Sequence, residues 1–146
     1  MAATILEFKG KHAFLSNFHR CWVNLDGVMY PSSESAFMSG KNESAEWKHT
    51  CATATSPGVI KAAGYKIKLV DGWDTLRLEV MLKALRAKFR NPELQRRLLA
   101  TGDAILIEGN RWNDKFWGVC IKTPTHVGEN NLGKLLMQVR AEYAQP

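Results

Sequence analysis

WVNLDGVMYPSSESAFMSGK, residues 22–41, sets the fold class. Its first part reads as a β-hairpin, because Asp26-Gly27 supplies the positive φ values of a tight turn between two apolar arms. Its second part, residues 31–41, follows with no linker and reads as a helix start. Pro31 and the serines are cap chemistry, and Glu34 falls in the first turn. A hairpin running straight into a helix breaks the βαβ alternation of a parallel sheet. The expectation is an α+β fold: a single compact domain over residues 1–146, mainly helices packed around a small β-sheet.

Moving outward from this stretch, residues 3–8 (ATILEF) read as a short strand. Residues 56–64 (SPGVIKAAG) read as a helix that Ser56 caps, Pro57 starts and Gly64 can end. Residues 75–89 are the clearest helix, with Leu78, Met81, Leu82, Leu85 and Phe89 on one face. Asn91-Pro92 opens another helix through Leu98 and Leu99, and Thr101-Gly102 stops it. Residues 103–108 (DAILIE) read as a buried strand, with residues 116–121 (FWGVCI) as its expected partner. A last amphipathic helix carries Leu132, Leu135, Leu136, Val139 and Tyr143. There is no internal repeat and no low-complexity linker.

At 146 residues, 45% hydrophobic and 23% charged, the composition is globular and the length suits one domain. No apolar run is long enough to span a bilayer, so no membrane partner is expected. The opening MAATILEFKGK lacks the apolar stretch and cleavage site of a signal peptide. Cys21, Cys51 and Cys120 are odd in number, widely spaced and without zinc-binding spacing. A reduced, cytoplasmic protein with no metal is expected. The net charge of +6 favours anionic partners. KALRAKFR (residues 83–90) and LQRRLL (residues 94–99), however, interleave bases with core-type residues, as solvated helix faces do.

GxGxxG, Walker, HExxH and GxSxG motifs are absent, and the four histidines are scattered. Three groupings remain. Glu34 and Lys41, seven residues apart, would share a helix face about 10 Å apart along the axis, leaving room for a ligand between them. Equally, Glu34 could simply complement the helix N-terminus beside a solvated Lys41. The second is EGNRWNDKFWGV, residues 108–119, which mixes Trp112 and Trp117 with Glu108 and Asp114. The indoles could stack on a planar heterocycle, or the segment could be a hairpin stabilised by aromatics in which Asp114 makes an Asx turn. The third, GENNLGK at residues 128–134, could present backbone N–H groups to phosphate, with Lys134 adding charge, or be a loop with an Asn cap. Together they suit a flat ring, a sugar and phosphates. Acids near a sugar suggest glycosidic cleavage through an oxocarbenium-like state, and a lysine can instead attack an opened sugar's aldehyde carbon. Spacing alone does not choose between this chemistry and simple binding.

Across nearly its whole length the chain resembles the NADAR (YbiA-like) family. The pieces that carry the likeness occur in family order: LSNF (residues 15–18), GVMYPSSE (residues 27–34) followed by Lys41, Ser56-Pro57, and Trp73 ahead of MLKALRAKF (residues 81–89). LLATGDAILIE (residues 98–108), WNDKFWG (residues 112–118) and NNLGKLLMQVR (residues 130–140) follow. The resemblance implies an α+β domain that hydrolyses N-glycosidic bonds without metal or cofactor. Two substrate groups go with it: ADP-ribose joined to guanine, in nucleotides or in nucleic acid that the protein would contact, and the phosphoribosylated pyrimidine intermediates of riboflavin synthesis. It implies Glu34 as the group that orients or activates the sugar, Lys41 as the covalent or electrostatic partner of the anomeric carbon, and Asp114 as a general acid/base. It further implies Trp73 as a stacking wall, Trp117 as a ring platform and Ser16, Asn17 and Phe18 as pocket lining. Arg20 and Asn131 are candidates for phosphate contact, and Glu108 and Trp112 for substrate binding. The approach to the final helix, TPTHVGENNLG (residues 123–133), has fewer glycines than riboflavin-type members carry. With the basic charge, this leans the expectation toward ADP-ribosyl-guanine. The third alternative is a non-catalytic module that binds ADP-ribose or NAD.

Overall fold

The computed structural model describes residues 2–145. Its α+β character is as expected: six α-helices and six short strands among the described residues. By contacts the chain divides into two compact units, one formed by Asn17–Arg90 and the other by Met1–Ser16 with Asn91–Pro146. They are called here the central and the terminal unit, after their places in the sequence.

In the central unit, β2 (Arg20–Leu25) and β3 (Val28–Ser32) form the expected antiparallel hairpin, with Leu25 opposite Val28. Asp26 and Gly27 adopt φ of 53° and 86°, and the Asn24 Oδ1 accepts from the Gly27 N–H at 3.0 Å. Positive φ at both turn positions matches the twist of the flanking strands. Helix α1 (Ser33–Ser39) follows at once, with the Ser32 Oγ capping the Ser35 N–H at 3.0 Å. Helices α2 (Ala45–Ala52), α3 (Pro57–Gly64) and α4 (Trp73–Lys88) pack against α1, and α4 also lies along β2. Val23, Tyr30, Ile60, Met81, Leu85 and Phe89 fill the core. Each contributes about 1.5–3 kcal/mol by leaving water.

The structure departs from two expectations here. Helix α2 has no counterpart in the sequence reading, since its buried apolar residues are only Trp47 and Cys51, too few to make a stripe. In α4, Leu78 is 38% exposed. The helix starts at Trp73, and its buried line runs through Trp73, Met81, Ala84, Leu85 and Lys88, which leaves Leu78 to one side.

In the terminal unit, β1 (Thr4–Ile5) pairs in parallel with β4 (Ile105–Leu106), and β5 (Gly109–Asn110) pairs in parallel with β6 (Val119–Cys120). The strand expected over residues 103–108 therefore pairs mainly with the N-terminal strand and meets residues 116–121 only at its end, through Glu108 and Val119, and residues 108–119 are not a hairpin. The extended run changes partner midway: Ile105, Ile107 and Gly109 donate to the carbonyls of Ala3, Ile5 and Leu6, while Glu108 and Asn110 accept from Val119 and Ile121. Apolar periodicity reports burial and is silent on which segment lies alongside. Helices α5 (Pro92–Ala100) and α6 (Asn131–Ala144) pack together, and α6 covers β4. Phe14, on a short 3-10 helix (Gly10–Leu15), lies under the Arg97 guanidinium at 4.3 Å. Among the described residues, no helix is long and apolar enough to cross a membrane.

One charge lies deep in the central unit. Lys88 is fully buried, with its ammonium 5.3 Å from the Phe89 ring. Burial pushes its pKa down from 10.5 to about 8, with Cys21 opposing the shift. Between those values the unfolded chain binds more protons than the folded one, so this lysine's contribution to stability rises with pH across that window. In urea denaturation, the stability of the native chain relative to Lys88→Met should rise from pH 8 to pH 10.5, by on the order of 2–3 kcal/mol. A pH-independent difference would contradict the buried-amine assignment.

Candidate functional site

Helix α1 is short, and all seven of its residues are buried, Glu34 included. Three of them are serines, whose buried polar groups call for partners; the Ser33 and Ser39 hydroxyls have them, while the Ser35 Oγ is buried without one among the described residues. Asn17 supplies partners at the N-terminus. Its carbonyl accepts from the Glu34 N–H at 3.1 Å, and its Oδ1 accepts from the Ser33 Oγ at 2.8 Å. Its Nδ2 donates to the Met81 Sδ at 3.4 Å, which ties the bracket to α4. Asn17, expected as pocket lining, is itself buried and fixes the turn that carries Glu34. At the other end, the indole N–H of Trp47 donates to the Met38 carbonyl at 2.8 Å and the Lys48 Nζ to the Ser39 carbonyl at 3.2 Å. Side chains of α2 thus satisfy carbonyls that a helix C-terminus leaves open.

Lys41 lies beyond the helix. Gly40 caps α1, and the Lys41 N–H donates to the Met38 carbonyl at 3.0 Å. A shared helix face therefore does not relate Glu34 to Lys41, but their charges still interact. The Lys41 Nζ donates to the Gly64 carbonyl at 3.3 Å, at the end of α3, and lies 5.6 Å from the centre of the Tyr65 ring. Burial lowers its pKa below the ordinary lysine value. The Glu34 carboxylate opposes this and Lys61 adds to it. A half-buried amine whose charge is disfavoured is the form a nucleophilic lysine takes.

Gly64, expected as the end of α3, is helical with an ordinary φ. Its use is space: a Cβ there would lie 2.6 Å from the Met38 Sδ and 3.3 Å from the Lys41 Nζ. Of the other expected residues in this unit, Trp73 is buried and tilted against Phe37 with ring centres 5.3 Å apart. Phe18 is 45% exposed, with the Lys61 Nζ 5.6 Å from its ring. Arg20 is exposed and reaches the Thr55 carbonyl at 3.1 Å.

The terminal unit carries Ser16, Glu108, Trp112, Asp114, Trp117 and Asn131. Ser16 closes the 3-10 helix, its N–H on the Ala13 carbonyl. The segment from Glu108 onward is organised by Asn110, which the sequence reading did not single out. Its Nδ2 donates to the carbonyls of Asp114 at 2.8 Å and Val119 at 3.3 Å, and its Oδ1 accepts from the Asp114 N–H at 2.9 Å. The Asp114 Oδ1 accepts from the N–H groups of Phe116 and Trp117 at 3.2 and 3.0 Å, which is an Asx turn. Trp117 stands edge-on to Phe116 at 4.8 Å, and Trp112 is 63% exposed. The Glu108 N–H donates to the Asn130 Oδ1 at 3.0 Å. At the start of α6 the N–H groups of Asn131 and Leu132 donate to the carbonyls of Phe116 and Trp117, as does the Asn131 side chain to Phe116. Those backbone donors bind the chain itself and are not turned toward a phosphate. Asn130, which precedes α6 with φ of 56°, does not cap it by its side chain. A cavity of about 490 Å³ in this unit, lined by Lys11, His12, Phe14, Arg97 and Thr101 among others, contains none of the residues singled out from the sequence.

Two substitutions test the bracket and the lysine seat. Asn17→Ala leaves the Ser33 hydroxyl without its acceptor and breaks the tie to Met81, while the backbone bond to the Glu34 N–H remains, and should cost about 1–3 kcal/mol in urea denaturation. Gly64→Ala gains about 1 kcal/mol in helix propensity, but crowding against Met38 and Lys41 costs about 1–3 kcal/mol. Net destabilisation in urea denaturation is expected, and a stabilised Gly64→Ala would show that Met38 and Lys41 are not held against this position.

The NADAR domain model matches residues 7–144. The chain is 34% identical over 150 residues to N-glycosidase YbiA of Escherichia coli (strain K12), an alignment covering 99% of this chain and 91% of that protein. It is also 34% identical over 134 residues to a riboflavin biosynthesis protein of Vibrio vulnificus (strain YJ016), covering 90% of this chain and 35% of that one. An N-glycosidase of Acanthamoeba polyphaga mimivirus is 35% identical over 82 residues, covering 50% of this chain and 48% of that protein. The NMR structure of the E. coli protein YbiA superposes with a TM-score of 0.83 at 35% identity, covering 99% of this chain and 87% of that one. With a family model spanning most of the chain and full-length likeness in sequence and fold, this chain belongs to the NADAR domain family, as one of its N-glycosidases.

Proposed function

We propose that the reaction is hydrolysis of an N-ribosyl bond and that Glu34 and Lys41 carry it. The observation behind this reading is a half-buried amine, seated on the Gly64 carbonyl, whose charge is disfavoured by burial and offset by a carboxylate on the fixed helix α1. A carboxylate beside an anomeric carbon stabilises the positive charge that develops as the C1′–N bond breaks. The departing nitrogen keeps the bonding pair and takes a proton. The neutral Lys41 amine bonds to C1′ as the ring oxygen accepts a proton and the sugar opens, giving a Schiff base. Water then hydrolyses it, releasing the sugar aldehyde and the amine.

The other assignments are made residue by residue. Trp117 and Trp112 offer indole faces to a planar base. Asp114 serves as acid or base through Oδ2, since its Oδ1 holds the Asx turn. Phe18, Arg20, Trp73, Glu108, Ser16 and Asn131 serve substrate binding directly or by position, and Asn17 acts by holding Glu34 in place.

The favoured substrate is ADP-ribose joined to guanine, in a nucleotide or in DNA, for which the +6 charge is the supporting observation. The second reading, phosphoribosylated pyrimidine intermediates of riboflavin synthesis, is supported by the likeness to the Vibrio vulnificus protein. Assays of both substrates side by side separate them by kcat/KM. Lys41→Ala and Glu34→Gln should each lose about 10²–10⁴-fold in kcat, and borohydride added during turnover should leave a sugar adduct on Lys41, read by protein mass. Full activity in either variant would overturn that residue's role, and binding without turnover of either substrate would favour a non-catalytic module.

A further inference from the structure

We propose that Tyr65 is the face on which the planar base of the substrate stacks, set beside the Lys41 amine at the end of α3. The inference rests on the assignment of Lys41 as the amine that meets the anomeric carbon, and adds where the leaving base lies. Tyr65 is 77% exposed, more than any other large apolar side chain among the described residues, and the Lys41 Nζ lies 5.6 Å from its ring centre. One exposed ring is ordinary on a protein surface; its fixed place beside this amine is what calls for a role. The Tyr65 N–H donates to the Ala62 carbonyl at 3.3 Å and the Lys66 N–H to the Ala63 carbonyl at 3.0 Å, which tie this stretch to the end of α3. Farther along, the Val70 N–H donates to the Lys41 carbonyl at 2.8 Å, and the Asn42 Nδ2 donates to the Lys68 carbonyl at 2.9 Å. Residues 65–70 are therefore fastened at one end to α3 and at the other to Lys41 and Asn42, so one set of bonds places both ring and amine.

Distance puts a base within reach of this ring. An amine ready to attack stands about 3–3.5 Å from its carbon, and the base begins one bond beyond C1′. Its first atoms therefore lie about as far from Nζ as the Tyr65 ring does. Aromatic rings attract one another at centre separations of about 4.5–7 Å, so a base can lie against Tyr65 while C1′ meets Lys41. Trp73, by contrast, is buried against Phe37, and the ammonium near Phe18 is that of Lys61. Trp112 and Trp117 belong to the terminal unit, so within the unit that holds Lys41 the stacking part falls to Tyr65. Lys66 and Lys68, both exposed, follow the ring on the same segment. An exposed ring among cations suits a phosphorylated base: stacking takes the flat face, the ammonium groups take the phosphate, and the identity of the base is not read.

The test reads Tyr65 itself. The chain has three tyrosines, of which Tyr30 is buried in the core and Tyr143 lies on α6. In the full chain carrying isotope-labelled tyrosine, the NMR signal of the Tyr65 ring is assigned with Tyr65→Phe. It is then followed through titrations with deoxyguanosine monophosphate, uridine monophosphate and ribose phosphate. At least one nucleotide should move the Tyr65 signal upfield, saturably, with Tyr30 and Tyr143 in place, and ribose phosphate should leave all three unmoved. The tighter nucleotide tells a purine substrate from a pyrimidine one. In calorimetry, Tyr65→Ala should weaken binding of that nucleotide roughly 5- to 150-fold, the factor one stacked base carries, and Tyr65→Trp should retain it. With substrate, the loss in Tyr65→Ala should fall on KM more than on kcat. Thermal melts of these variants should match the parent chain, because the ring is not part of the core. A Tyr65 signal unmoved by either nucleotide, or moved equally by ribose phosphate, overturns the proposal, as does an affinity unchanged in Tyr65→Ala. Lys41→Ala separates the two readings. If it keeps full activity while Tyr65 still answers to nucleotide, the base platform stands and the role of Lys41 falls; if it is inactive while Tyr65 is silent, the reverse holds.

Discussion

A seven-residue helix buried on every side is the constraint from which the central unit follows. A helix of that length has nearly as many unpaired backbone groups at its ends as paired ones inside, and in α1 none of them meets water. Every neighbour therefore carries a polar obligation. Ser32 and Asn17 take the N-terminus, and the side chains of Trp47 and Lys48 take the C-terminus. Gly40 completes the fit, since a Cβ there would strike Val80 of α4 at 2.7 Å. The rigidity that results suits the role proposed for Glu34, because a carboxylate that must meet developing charge cannot reorganise during the step.

The terminal unit solves the same problem with amides. Asn110 bonds to backbone groups of Asp114 and Val119 and Asn130 to those of Leu106 and Glu108, and between them they hold the segments around residues 106–108, 114 and 119. Glycines allow the close approach: side chains at Gly109, Gly118 or Gly133 would run into the carbonyls of Leu6, Glu108 and Leu106. The two tryptophans in this region are thus carried on a loop whose shape is set by hydrogen bonds, while one of them, Trp112, remains mostly exposed.

What was legible in the sequence was whatever is encoded locally. The Asp26-Gly27 turn, the Ser56 and Asn91 caps and the prolines after them depend on residues within a few positions of one another, and they stand where expected. Strand partners in the terminal unit were not legible, because two-residue strands carry no period and their pairing is decided by what the rest of the chain leaves available. The same limit applied around α1. Its acid and the lysine after it were visible as residue types, but the helix is two residues too short for a common face, and the lysine is placed by the Gly64 carbonyl, 23 positions away. Asn110 was hidden because its importance lies in the number of partners, a property of the fold.

Two lysines in the central unit lose part of their preference for charge, and the contrast between them shows why perturbation alone does not mark a site. Lys88 is the more strongly shifted, to about 8, and is wholly enclosed between α4 and the sheet. No substrate reaches it, so its shift is a statement about stability. Lys41 is shifted in the same direction, yet it stays partly open to solvent, lies beside a ring that is 77% exposed, and faces both a carboxylate and a second ammonium. Access and opposed neighbouring charges, more than the size of the shift, separate an amine that can react from one that is only buried. By that measure the amine proposed to react is the one at the end of α3, held on the Gly64 carbonyl and pushed by burial toward its neutral form.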